Sequence, residues 1–138
     1  YSLVTPVMNQ EDSRATIAFC KEVFGAKVRT LMEGPGGKVM HAEITIGDGV
    51  IMLSDAMREP ARMASTFVYV RDVDATVRVA EAAGAKVLMP AEDTFWGDRF
   101  ARILDPFGNS WGIATHIEDV TPAQMKKRMA AMASPPSD

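Results

Sequence analysis

One seven-residue pattern, written twice, constrains this chain more than any other feature. Glu22-Val23-Phe24-Gly25-Ala26-Lys27-Val28 and Glu81-Ala82-Ala83-Gly84-Ala85-Lys86-Val87 both read E-x-x-G-A-K-V, 59 residues apart. Each copy has the grammar of a helix end followed by a strand, with Gly where a left-handed residue closes the helix. Upstream of the first copy, Asp12 or Ser13 can cap a helix on which Thr16, Phe19, Cys20 and Val23 form one apolar face. Upstream of the second, Asp72 can cap, and Val73, Val77 and Ala80 form the matching stripe. A β-rich run precedes each helix, at 3–8 and 65–71, and three strands follow each, at 27–33, 38–46 and 50–54, then at 86–89, 99–104 and 110–115. Each half therefore reads β-α-β-β-β, with module one at 1–54, a connector at 55–64 and module two at 65–119, and the expected fold class is α+β. One face of each sheet takes its helix, and the other must find a partner or enclose something.

The length of 138 residues suits a single domain able to bury about two-thirds of its unfolded surface. No run nears the ~20 apolar residues of a membrane-spanning helix, so no membrane is expected as a partner. The lone Cys20 cannot close an internal disulfide, which fits a reducing, cytoplasmic setting. A net charge of −3 without a basic block argues against nucleic acid. A last helix is expected from Thr121 as cap with Pro122 in the first turn, and a frayed tail at 134–138 completes the segment 120–138. Met125, Met129 and Met132 make a narrow stripe on that helix, suited to docking on its own domain or a twin subunit. A peptide- or membrane-binding role for the stripe is the alternative, and it would make the protein an interaction module.

The order of motifs resembles the vicinal oxygen chelate (VOC) superfamily, which includes glyoxalase I, bleomycin-resistance proteins, fosfomycin-resistance transferases and extradiol dioxygenases. The residues that carry the resemblance are Phe19 to Gly25, Val70-Arg71-Asp72-Val73-Asp74-Ala75 and Asp105-Pro106-Phe107-Gly108. Met40-His41-Ala42-Glu43-Ile44, Gly47-Asp48 with Ile51 to Asp55, and Phe95-Trp96-Gly97-Asp98-Arg99 are similar to its PhnB-like branch. The resemblance implies two paired βαβββ modules with curled mixed sheets around a cavity, often in a homodimer. It also implies a divalent metal held by four His or Glu positions, one on the first and one on the last strand of each module. Carried onto this chain those positions are Thr5, Met52, Thr66 and Gly112, and a slip of one residue brings in Val4, Pro6, Ser65 or Phe67. None is a His, Glu, Asp or Cys, and a thioether suits soft Cu(I) rather than a hard ion chelating oxygens. The expectation is therefore no metal, with Met52 a ligand contact.

Other residues could carry chemistry. His41 and Glu43 are two apart on a strand and share a face with Thr45, so they could bind a ligand, hold a metal or act as an acid/base pair. Glu43 could equally serve only to fix the ring of His41. His116 has nothing adjacent to complete a constellation and reads as a strand-end contact. In Glu92 to Arg99, Trp96 and Phe95 could form a lid with Arg99 gripping a carboxylate or phosphonate, or Asp98 and Arg99 could hold a tight loop while Trp96 closes the core. Trp111 could flank the cavity or pack in the core, and Gly112 leaves backbone room beside it. Gly34-Pro35-Gly36-Gly37 is no phosphate loop, no Ser sits in a nucleophile elbow, and Cys20 lies on an inward helix face.

The reading is a glyoxalase/bleomycin-resistance-like protein that binds a small molecule without the usual VOC metal ligands, as a homodimer. Its ligand contacts would be His41, Glu43, Met52, Trp96, Arg99 and Trp111. The rival is a metal-dependent lyase, isomerase, thiol transferase or dioxygenase with a rearranged site around His41 and Glu43.

Overall fold

The computed structural model describes residues 1–57 and 59–133. Module one runs β1 (Val7–Gln10), α1 (Ser13–Phe24), β2 (Lys27–Glu33), β3 (Val39–Ile46) and β4 (Gly49–Asp55). Module two repeats it as β5 (Ser65–Tyr69), α2 (Val73–Ala82), β6 (Lys86–Asp93), β7 (Asp98–Leu104) and β8 (Ser110–His116). A last helix, α3, spans Pro122–Ala133. The two sheets have orders β1-β4-β3-β2 and β5-β8-β7-β6, with the first strand of each module parallel to the last and the others antiparallel.

The repeated motif does the same structural job twice. Gly25 has φ 67° and Gly84 φ 99°, and Ala26 and Ala85 return N–H bonds to the carbonyls of Cys20 and Ala80. The side chain of Asp12 accepts from Ala15 N at 3.1 Å, and Asp72 accepts from Ala75 N at the same distance. Expectation and structure differ mainly at the strands. β1 begins at Val7 rather than residue 3, and β6 runs on to Asp93 because bulged pairing with β7 carries it past Pro90.

The two helices touch, and their stripes join the covered faces of both sheets in one apolar core. Phe24 at the end of α1 meets the indole of Trp111 on β8 with centroids 5.0 Å apart. Polar ties cross the same boundary. Gln10 and Asn109 exchange two amide hydrogen bonds, of 3.1 and 2.8 Å. Asp105 receives the N–H groups of Phe107 and Asn109 on one oxygen and those of the Asn109 amide and Trp111 indole on the other. In module one, burial pushes the Asp55 carboxyl up, but the backbone N–H groups of Val39 and Ser13 outweigh it and hold the group below its ordinary value. Burial raises the Cys20 thiol to about 12, which leaves it inert.

Because the helices take one face of each sheet, period-two alternation sends the remaining side chains to an open face. Val7, Met32, Phe67 and Tyr69 are 64, 57, 46 and 62% exposed there. α3 buries none of its residues fully, and of the methionine stripe Met125 is half-buried while Met129 and Met132 are exposed. The helix is tethered by Arg128, which donates to the Phe95 carbonyl and pairs with Glu118. The expected tail at 134–138 lies outside the described residues. Among those described, no helix is long and apolar enough to cross a membrane.

Candidate functional site

The open face of module one centres on Glu43, which is 4% exposed. β3 places it opposite Met52 on β4, and Met52 in turn lies opposite Val7 on β1. His41, two residues away on the same face, has Nε2 at 2.8 Å from Glu43 Oε2. The Tyr1 hydroxyl donates to Glu43, with contacts of 2.7 and 2.8 Å to its two oxygens. Arg29 stands 3.7 Å from the carboxylate and 4.5 Å over the Tyr1 ring. The hydrogen bonds from His41 and Tyr1 hold the Glu43 carboxyl below its usual value. A carboxylate kept charged by several donors is a poor proton acceptor, and its lone pairs are already committed.

The open face of module two is aromatic. Phe67 on β5, Gly112 on β8 and Arg102 on β7 form one cross-strand row, and Tyr69, Ala114 and Phe100 form the next. Phe67 and Phe100 stack over Gly112 with centroids 5.6 Å apart and planes 17° apart. A Cβ on Gly112 would lie 2.9 Å from Phe67 and 3.1 Å from Phe100, so the missing side chain is what lets the two rings close over the strand. Trp96 packs edge-on against Phe100 at 5.7 Å. Above the rings, the 2% exposed Asp98 accepts from the Tyr69 hydroxyl and the Trp96 indole N–H, both at 2.9 Å. His116 reaches the other Asp98 oxygen at 3.2 Å, and Asp119 contacts its second ring nitrogen at 2.7 Å. Asp119 and Asp98 together raise the His116 pKa. Hydrogen bonding to Asp98 likewise raises that of Tyr69. A cleft of about 400 Å³ borders Phe67 and Tyr69, between Ser2, residues 4–6, the 46–51 hairpin and 66–69 of β5.

The registers show where the positions that the resemblance suggested for a metal lie. Met52 lies across from Val7, not Thr5, and Gly112 across from Phe67, not Thr66. Thr66 is paired with Trp111, one residue out of phase, and therefore belongs to the other face. The four open-face positions on the first and last strands are thus Val7, Met52, Phe67 and Gly112, which offer no donor to a hard divalent ion. Among the described residues no group of three or more His, Cys, Asp or Glu side chains converges as a metal site. His116 cannot unite its two carboxylates around one ion, because they sit on opposite ring nitrogens.

The remaining expected ligand contacts divide. Trp96 borders the open aromatic face, half-buried. Trp111 does not: it is fully buried on the helix side, donating to Asp105 at 2.9 Å, so core packing excludes it from the open face. Arg99 also points to the helix side, where its guanidinium is occupied by Asp74 at 2.8 Å and Asp93 at 3.0 Å. Those two carboxylates raise its already high pKa further, and none of this leaves it aimed at an open-face ligand. The sequence reading did not single out Phe67, Tyr69, Phe100 or Arg102. Alternation along β7 holds the missed signal, since Phe100 and Arg102 interleave with the core residues Ala101 and Ile103.

A family model described as the Glyoxalase/Bleomycin resistance protein/Dioxygenase superfamily matches residues 2–113. An uncharacterized protein of Mycobacterium bovis is 32% identical over 143 aligned residues, covering 95% of this chain and 92% of its own length. Among solved structures, TioX from Micromonospora sp. ML1 superposes with a TM-score of 0.70 at 23% identity, covering 85% of this chain and 100% of TioX. A PhnB protein from Bacillus cereus gives 0.64 at 18% identity, with 83% and 99% covered. The paired βαβββ modules, their registers and the match along most of the sequence lead to one assignment: the chain belongs to the glyoxalase/bleomycin resistance protein/dioxygenase superfamily.

Proposed function

We propose that this protein binds a small, largely planar organic molecule over the aromatic face of module two, without a metal, and that a second copy of the chain closes the site. The observation that carries the reading is the quartet Val7, Met52, Phe67 and Gly112, whose donors are absent and whose last member makes room for two stacked rings. The exposed rings of Phe67 and Tyr69 supply apolar contact at little entropic cost, because each has only two side-chain torsions to fix. The exposed apolar residues on both open faces support homodimerisation, since contiguous patches of this kind mark interaction surfaces. The rival enzyme reading rests on the His41–Glu43 contact. Two ligands on one strand fall short of the three protein ligands usual at catalytic zinc sites.

The test is metal analysis of protein purified without chelator, with sedimentation analysis and fluorescence titration of bicyclic aromatic probes. The reading expects a dimer, far less than one divalent ion per chain, and probe binding indifferent to EDTA. One tightly held ion per chain, lost in His41→Ala, would overturn it.

A further inference from the structure

Arg102 stands on the open face of module two, unlike the ion-paired Arg14, Arg29, Arg99 and Arg128. Arg14, Arg99 and Arg128 each contact a carboxylate, Glu33, Asp74 and Glu118 respectively. Arg102 contacts none among the described residues, and its protein acceptor there is the neutral Ser110 hydroxyl at 2.9 Å. Its guanidinium carbon stands 5.5 Å from the Phe100 ring centroid. The cross-strand register puts it beside Gly112 and Phe67, on the same open face as the stacked pair. A guanidinium carries five N–H donors in a planar fork, and here one is used. The ring beneath it and the Ser110 hydroxyl fix the position of the fork, so little side-chain entropy remains to be lost when an anion arrives.

The geometry points to Arg102 as the residue that selects the ligand's charge: the molecule bound on this face is an aromatic or conjugated acid whose carboxylate pairs with the free edge of the guanidinium while its ring lies against Phe67. This rests on the small-molecule reading above and adds the ligand class to it. Charge complementarity favours this occupant, since an uncharged flat molecule would leave the guanidinium without a partner of opposite charge.

The test compares 2-naphthoate with 2-naphthamide, which share a ring system and differ in charge, by calorimetric and fluorescence titration of the full chain. Wild-type protein should prefer naphthoate by about tenfold or more, the range of a charge-assisted hydrogen bond. Arg102→Gln should abolish the preference by weakening naphthoate far more than naphthamide, and Arg102→Lys should keep part of it, with melting curves verifying that both variants fold. Equal wild-type affinity for both probes, or a preference that survives in Arg102→Gln, would overturn the assignment and leave the small-molecule reading standing. A dimer that dissociates in Arg102→Gln while the naphthoate preference persists would make Arg102 a subunit contact and overturn it as well. If neither probe binds wild-type protein, both readings fail.

Discussion

Gly112→Ala isolates the feature on which the site depends. The added methyl would sit 2.9 Å from one Phe67 ring atom and 3.1 Å from a Phe100 ring atom, where ordinary contact needs 3.4 Å or more. Phe100 is 5% exposed and wedged against Trp96, whereas Phe67 is 46% exposed, so Phe67 must yield. Overpacking costs ~1–3 kcal/mol in a closed core, and the open side of Phe67 places this case near the low end, about 1 kcal/mol. The loss of glycine's freedom in the unfolded chain returns about 0.4–1 kcal/mol, so the net change in melting temperature should stay within about 4 °C. Binding should suffer more, because the tilted Phe67 no longer presents the same ring face to a probe. Removing one stacked contact worth ~0.5–1.5 kcal/mol weakens an aromatic probe by about two- to tenfold. Melting curves and titration with 2-naphthamide measure the two effects separately. Unchanged probe affinity would refute the idea that the Phe67 ring, held over Phe100, forms the contact surface. A loss above ~3 kcal/mol would refute the idea that Phe67 can move aside.

Asp105→Ala should be among the most damaging single changes, since it strips acceptors from the Trp111 indole, the Asn109 amide and two backbone N–H groups around a residue 3% exposed. A cost of about 3–5 kcal/mol in urea unfolding is expected, and a change below 1 kcal/mol would show that these groups find other partners. His116 makes stability depend on pH with a definite sign. Its folded pKa is raised by Asp119 and Asp98, so its contribution is fully present below the unfolded value of about 6.5 and is lost as pH rises through the folded value. Imidazole proton titration, with His41→Gln for assignment, should place His116 above an ordinary histidine, and Asp119→Asn should bring it down. A wild-type value at or below the ordinary one would refute the two-carboxylate clamp.

Much of the scaffold was legible because its signals are local. The helix stripes Thr16-Phe19-Cys20-Val23 and Val73-Val77-Ala80 are buried as their spacing implied, and both Asp caps bond three residues on. The His41–Glu43 contact also follows from period two within one strand. The site was less legible because it is assembled across strands and between distant segments. Arg99 was assigned to a ligand because its partner Asp74 stands 25 residues away on α2, a pairing that no local pattern encodes. The Tyr1 hydroxyl reaches Glu43 across 42 residues for the same reason.

By itself the amino-acid order determined the twofold βαβββ architecture and the helix ends, both of which depend on residue identity and short periodicities. Tertiary structure alone decided the register between the strands. One residue of register separates Phe67 from Thr66, and with it the exposed aromatic face from the buried Trp111. The same long-range packing neutralises Arg99 and leaves Arg102 open, because a charge is paired or free according to what the folded chain brings within a few ångströms of it.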